Sequence, residues 1–196
     1  MAKIKVAKNG TKKDVITSKA AILFKVRGFS ATSMRELAEM VGVEASSLYN
    51  HIGSKSEILQ EICFRVANLF TAHLNEVEQS DFSNIDKIEK VMRFHIRMMM
   101  ENFESVYVSD HEWRHLPEPY LSNYQDQRRT YRKRLSNLIE KGITSGEIKN
   151  IDPFVSVLTI LSAIAGIESW QRSRKTVPAE TLEKNMVRLL IDGLKI

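Results

Sequence analysis

The sequence predicts an all-α protein of about nine helices, and three observations carry that prediction. Apolar residues recur at helical spacing through most of the 196 residues. Two Ser-x-x-Glu helix starts bracket a glycine turn between residues 28 and 57. The four prolines fall where helices begin or stop: Pro117 and Pro119 at a break, Pro153 directly after the cap residue Asp152, and Pro178 ahead of the last helix.

Taken in order, residues 1–10 (MAKIKVAKNG) form a basic arm without periodicity, expected to be disordered. A first helix covers about Thr11–Arg27, with Val15, Ala20, Leu23, Phe24 and Val26 available for packing. A short helix starts at the capping box Ser33-Met34-Arg35-Glu36 and buries Leu37, Ala38 and Val41. Gly42 ends it where a left-handed residue would turn the chain. Val43 and Leu48 plug a second short helix onto the first, leaving Ala45, Ser46, Ser47, Tyr49 and Asn50 largely outward. Ser54-Lys55-Ser56-Glu57 opens a long helix carrying Ile58, Leu59, Ile62, Val66, Leu69, Phe70, Leu74 and Val77. Further helices span about 84–102, 104–116, 118–145, 153–171 and 178–193, with Gly146 closing the third of these five.

Short helix, glycine turn, short helix is a helix-turn-helix, and its expected partner is a DNA duplex. Charge supports this independently. Residues 1–60 hold ten Lys and Arg against five Asp and Glu, whereas the remainder holds nineteen of each, so the whole net charge of +5 lies in the first part. A polyanion-binding head requires that asymmetry.

Thr32-Ser33, Leu37-Ala38, Gly42-Val43, Leu48-Tyr49-Asn50-His51 and Ser54-Lys55-Ser56-Glu57 resemble the tetracycline-repressor (TetR) family of bacterial regulators over roughly residues 11–60. Ile52 departs from the usual phenylalanine after the histidine, and Met40 from a usual small residue. The resemblance implies an all-helical homodimer. It has a three-helix DNA-binding domain, placed at residues 1–57, and a larger ligand-binding and dimerisation domain at 58–196. The implied DNA-facing set is Thr32, Ser33, Arg35, Glu44, Ala45, Ser46, Ser47, Tyr49, Asn50, His51 and Lys55. Within it, Ala45–Asn50 enter the major groove, Arg35 touches base or backbone, and Thr32, Ser33, Tyr49, His51 and Lys55 hold phosphates.

The C-terminal half is loosely similar to the branch of that family that senses acyl-CoA thioesters. The similarity runs from Glu112, Arg114 and Leu116 through Gly146, Asp152 and Trp170 to Asp192-Gly193-Leu194. That implies an apolar tunnel, with arginines for the phosphates. Candidate pocket residues are Phe94, Met98, Phe103, His111, Trp113, Arg114, Tyr124, Arg128 and Trp170, with Arg129 and Arg132 as further cations. The helix from Phe154 to Ile167 is apolar nearly all round, and the last helix carries one apolar stripe. Such a pair is expected to form a two-fold four-helix bundle with its copy through Leu158, Leu161, Ile164, Ile167, Met186, Leu189 and Leu190.

His111-Glu112-Trp113-Arg114-His115 is a literal H-E-x-x-H, which on a helix puts two histidines on one face as in zinc proteases. The extended pattern wants glycine at 118 and histidine at 121, where Glu118 and Leu121 stand, and Pro117 ends the helix at once. A metal-dependent hydrolase is therefore the weaker alternative, together with a purely protein-binding helical adaptor. No catalysis, metal or cofactor is expected. The single cysteine, Cys63, sits in an apolar pattern and excludes an internal disulfide. With no secretory signal and no stretch read as long and apolar enough to span a membrane, a cytoplasmic protein is expected. The reading is a ligand-responsive regulator of a palindromic operator, most simply a repressor released by a small amphipathic effector such as an acyl-CoA.

Overall fold

A computed structural model describes residues 11–173 and 177–196; the N-terminal basic arm lies outside the described residues. Among the described residues ten α-helices follow one another: α1 (Lys12–Arg27), α2 (Met34–Val41), α3 (Ala45–Tyr49), α4 (Lys55–Gln79), α5 (Asn84–Glu101), α6 (Phe103–His111), α7 (Tyr120–Thr144), α8 (Pro153–Ala165), α9 (Ile167–Arg172) and α10 (Ala179–Leu194). Gly166 closes α8 and opens α9, so that pair, counted as one, gives nine.

The helix starts follow from local chemistry. Thr11 and Ser33 each form a complete capping box, with Asp14 and Glu36 as the returning carboxylates. Asp152 accepts the Val155 N–H at 2.9 Å with Pro153 at the first helical position. The box expected at Ser54 forms by half. Its hydroxyl accepts the Glu57 N–H at 3.1 Å, but the Glu57 carboxylate takes the N–H of Gly53, at 2.9 Å, instead of that of Ser54. The helix expected over 104–116 is shorter: α6 stops at His111 and residues Trp113–His115 tighten into a 3-10 turn. Leu116 then takes extended backbone ahead of Pro117, as a residue preceding proline must.

Packing groups the chain into two units, with boundaries inside α4 after Ala67 and inside α7 after Asp126. Residues 104–126 join the N-terminal helices, where the sequence reading made one cut after residue 57.

The first unit has one core. Ile16, Ala20 and Phe24 of α1 meet Leu37 and Ala38 of α2, Leu48 of α3, and Ile58, Leu59, Ile62 and Cys63 of α4, all buried. Val108, Leu116 and Tyr124 complete it. Tyr124 is buried with its hydroxyl satisfied, donating to the Ser109 carbonyl at 3.0 Å. Val26, expected to help pack α1, is instead 70% exposed.

In the second unit α5 packs against α8, α9 and α10. Gln171 of α9 caps the end of α5, donating to the carbonyls of Met99 and Met100 at 3.1 Å each. At its other end Glu147 accepts the Ile85 N–H at 3.0 Å. That bond, aided by Ser145 and Asn84, holds the Glu147 carboxyl below its ordinary range. The reading that no stretch is apolar and long enough to cross a membrane needs correction. Pro153–Arg172 passes by length and composition, with mean hydropathy 1.5 over an eighteen-residue window. Gly166 and interspersed Ser and Thr break the apolar run along the sequence. Only 28% of that window is buried within the chain.

The left-handed Gly42 (φ +82°) has open space where a Cβ would stand, so its requirement is purely conformational. Gly42→Ala is expected to lower unfolding free energy by about 1 kcal/mol, read from a denaturant midpoint. An unchanged midpoint would mean the turn tolerates another backbone conformation.

Candidate DNA-binding interface

The reading head is built from α2, the Gly42 turn and α3. The Gly42 and Val43 amides both reach the Ala38 carbonyl, at 2.9 and 3.0 Å, fixing the turn. Leu48 is fully buried and anchors α3, while Val43 packs against the same core. What remains outward is what the sequence assigned. Glu44, Ser46, Tyr49 and Asn50 are exposed, and Ala45, Ser47 and His51 are half-covered. Tyr49 is 52% exposed, unusual for a large aromatic with no partner surface. Glu44 caps α3 by position alone, without a side-chain hydrogen bond. Arg35 projects from α2, 86% exposed and loosely paired with Glu39 at 3.4 Å.

Two residues assigned to phosphates do something else. The Thr32 hydroxyl is buried and donates to the Gly28 carbonyl at 2.9 Å, closing the α1–α2 loop. The Lys55 ammonium donates to the carbonyls of Phe29 (2.8 Å), Thr32 (2.7 Å) and Ser30 (3.3 Å), and lies 4.5 Å from the centre of the Phe29 ring. A lysine with three carbonyl acceptors and a ring face has its three donors engaged. Ser33 is exposed, but its hydroxyl serves the capping box with Glu36.

The H-E-x-x-H residues take part in the same loop. Glu112 accepts the Phe29 N–H at 3.2 Å, and His115 stacks on the Phe29 ring at 5.3 Å. His111 bonds the Tyr107 carbonyl at 2.9 Å and stacks on the Tyr107 ring. The α-helix ends at His111, so His111 and His115 do not share an α-helical face as a zinc protease requires. Among the described residues no three His, Cys, Asp or Glu side chains gather as a metal site. Sequence reasoning missed the Glu112–Phe29 contact, which spans 83 residues and leaves no local signal.

The pocket candidates scatter. Tyr124, His111, Trp113 and Arg114 belong to the first unit, and Arg114 lies over the Trp113 ring at 4.8 Å. In the second unit the Trp170 indole donates to the Val177 carbonyl at 2.8 Å. Met98 and Phe103 are buried, and Arg128 is half-buried. A cavity bounded by α5, α7 and α8 has none of the nine on its wall. Phe94 comes nearest, one residue from the wall residue His95. On the expected interface, Leu158 and Leu189 are 54% and 75% exposed, and Leu161, Met186 and Leu190 are half-buried. Ile164 and Ile167 are buried inside the chain itself and so serve the core. The surplus apolar surface on α8 comes from Phe154, Val155 and Leu158.

The family model for bacterial regulatory proteins of the tetR family matches residues 16–62, and the tetracyclin repressor-like C-terminal domain matches residues 81–194. The chain belongs to the TetR family. Similar proteins include the HTH-type transcriptional repressor KstR2 of Rhodococcus jostii, 24% identical over 89% of this chain and 87% of that one. Another is the icaADBC negative regulator IcaR of Staphylococcus aureus, 27% identical over 81% of each. The solved structure of KstR2 from Mycobacterium tuberculosis has a TM-score of 0.87 at 19% identity, covering 99% of this chain and all of that one. AibR, solved in complex with isovaleryl coenzyme A and operator DNA, has a TM-score of 0.80 at 24% identity, covering 91% and 97%. This TetR-family chain is a DNA-binding transcriptional regulator.

The position of Lys55 yields a test. Lys55→Met is expected to destabilise the fold by about 1–3 kcal/mol, because it strands half-buried carbonyls. Operator affinity should fall while the slope of log affinity against log salt stays put. A slope smaller by about 0.9 would assign the ammonium to a phosphate instead.

Proposed function

We propose that this chain is a homodimeric repressor whose hold on a palindromic operator is released by a small amphipathic effector. The observation that carries the reading is the exposed α3 face, held on a buried Leu48 anchor within a basic head. In functional terms residues 1–57 read DNA and residues 58–196 bind effector and partner, while α4 belongs to both parts. Ala45–Asn50 approach base edges, Tyr49 and His51 hold phosphates, and Arg35 reaches the flanking backbone or a base.

Dimerisation through α8 and α10 accounts for a helix that is apolar nearly all round yet largely uncovered within one chain. A second copy covers Phe154, Val155, Leu158 and Leu189 and sets two reading heads about one helical turn apart. The names of the relatives support the sign of regulation and the effector class: KstR2 is a repressor, and AibR is a complex with an acyl-CoA and operator DNA. An acyl-CoA is thus the specific case favoured for this chain, acting in the cytoplasm. The hydrolase alternative lacks a shared face for its histidines, and catalysis forms no part of this reading.

Gel-shift titration tests the mechanism: a candidate effector such as isovaleryl-CoA should weaken operator binding, because the two ligands oppose each other through one equilibrium. Tighter binding with effector would reverse the sign. Tyr49→Phe should weaken binding to specific and random duplex alike, whereas substitution at Ala45 or Ser46 should change sequence preference. Equal losses on both duplexes for every variant would remove that division of roles.

A further inference from the structure

The first 60 residues carry five carboxylates, and four of them are engaged. Asp14 and Glu36 close the capping boxes of α1 and α2 and pair with Arg65 and Arg27. Glu39 pairs with Arg35 at 3.4 Å. Glu57 accepts the Gly53 N–H at 2.9 Å and lies 3.7 Å from the Lys13 ammonium. Glu44 is the fifth. It is exposed, and among the described residues its carboxylate has neither a hydrogen-bond nor an ion-pair partner. Its backbone is nonetheless fixed, because its carbonyl accepts the N–H groups of Ser47 and Leu48 at 3.0 and 3.1 Å. An unengaged side chain thus rises from a held point, directly before Ala45 on the DNA-reading α3, a helix anchored by the buried Leu48.

A free carboxylate here works against general affinity. The head is basic, its partner is lined with phosphates, and an anion among them is repelled. It gains only where a base edge presents a hydrogen-bond donor. In the major groove guanine offers acceptors at N7 and O6, and thymine an acceptor at O4. Adenine offers the N6 amino group, but the N7 acceptor beside it repels a carboxylate. Cytosine offers the N4 amino group with no acceptor of its own. The first residues of a recognition helix are those that meet base edges, and the small Ala45 and Ser46 let the backbone come close. We infer that Glu44 is a specificity-determining residue that accepts a hydrogen bond from a cytosine N4 amino group, once in each operator half-site. The inference rests on the operator-reading role proposed for α3 and adds the base that one side chain selects.

Selection of binding sites by the full-length protein from a randomised duplex library tests this, with Glu44→Ala and Glu44→Gln run alongside. Neither variant removes a side-chain bond of the fold. The wild type should select cytosine at one position of each half-site, by about tenfold over the other bases. Glu44→Ala should lose the preference at that position alone, keep the rest of the site, and bind random duplex more tightly because a repelled charge is gone. Glu44→Gln, whose amide both donates and accepts, should move the preference to adenine, which it can meet at N6 and N7 together. A selected site unchanged in both variants, or one with no cytosine that Glu44→Ala releases, overturns the proposal and leaves the regulator reading intact. Loss of preference at every position in Glu44→Ala also overturns it, by making Glu44 a structural residue. If the wild type selects no sequence at all, the reading role of α3 fails, and the Glu44 contact fails with it.

Discussion

A single ammonium group holds the DNA-reading head in register. Lys55 is the first residue of α4, and it bonds the carbonyls of Phe29 and Thr32 at 2.8 and 2.7 Å. Ser33, the cap of α2, follows Thr32 directly. The start of α4 and the start of α2 are thus tied through one charge-assisted cluster, the stronger kind of hydrogen bond. The recognition helix hangs on α2 through Leu48 and the Gly42 turn, so its position inherits that tie. Glu112 secures the same loop from the other side by accepting the Phe29 N–H, and His115 covers the ring. A loop between two helices would ordinarily be the soft part of such a head; here it is gripped from both the start of α4 and the turn after α6.

This grip explains why the helix-turn-helix was legible in the sequence while the roles of some of its residues were not. Capping boxes, a left-handed glycine and plug residues at fixed offsets are local devices, written within four or five positions. They placed α2, α3 and the outward set Ser46, Tyr49 and Asn50 where the structure has them. Lys55 and Thr32 carry the same local signature as phosphate ligands, and nothing nearby in sequence reveals that loop carbonyls have claimed them. Their partners are set by how the chain closes on itself. The H-E-x-x-H string is likewise claimed by tertiary contacts. The motif means zinc only on a continuous helix, and the break before Pro117 gives Glu112 to a backbone amide instead.

The second unit was less legible, for a different reason. A helix apolar nearly all round offers no stripe by which to choose faces. Of the α8–α9 residues taken for an interface, Ile164 and Ile167 went to the core and Leu158 to the surface. The cavity wall was missed entirely, because it exists only where α5, α7 and α8 face one another, and its residues look like ordinary core. Aromatic and charged residues drew attention as pocket candidates.

α4 runs through both units. It is one unbroken helix of 25 residues, about 37 Å long at 1.5 Å per residue. Its first residue anchors the loop beneath the reading head, and sixteen positions into it Phe70 stacks on His95, the polar group of the cavity wall. A helix transmits displacement because its hydrogen-bond ladder resists bending over such a length. A displacement of α4 near Phe70 would therefore reach Lys55 along the same helix. If operator release follows that route, loss of affinity comes from altered separation of two intact heads. The turn at Gly42 and the Leu48 anchor would then be unchanged in the effector-bound protein, which distinguishes this route from local unfolding of the head.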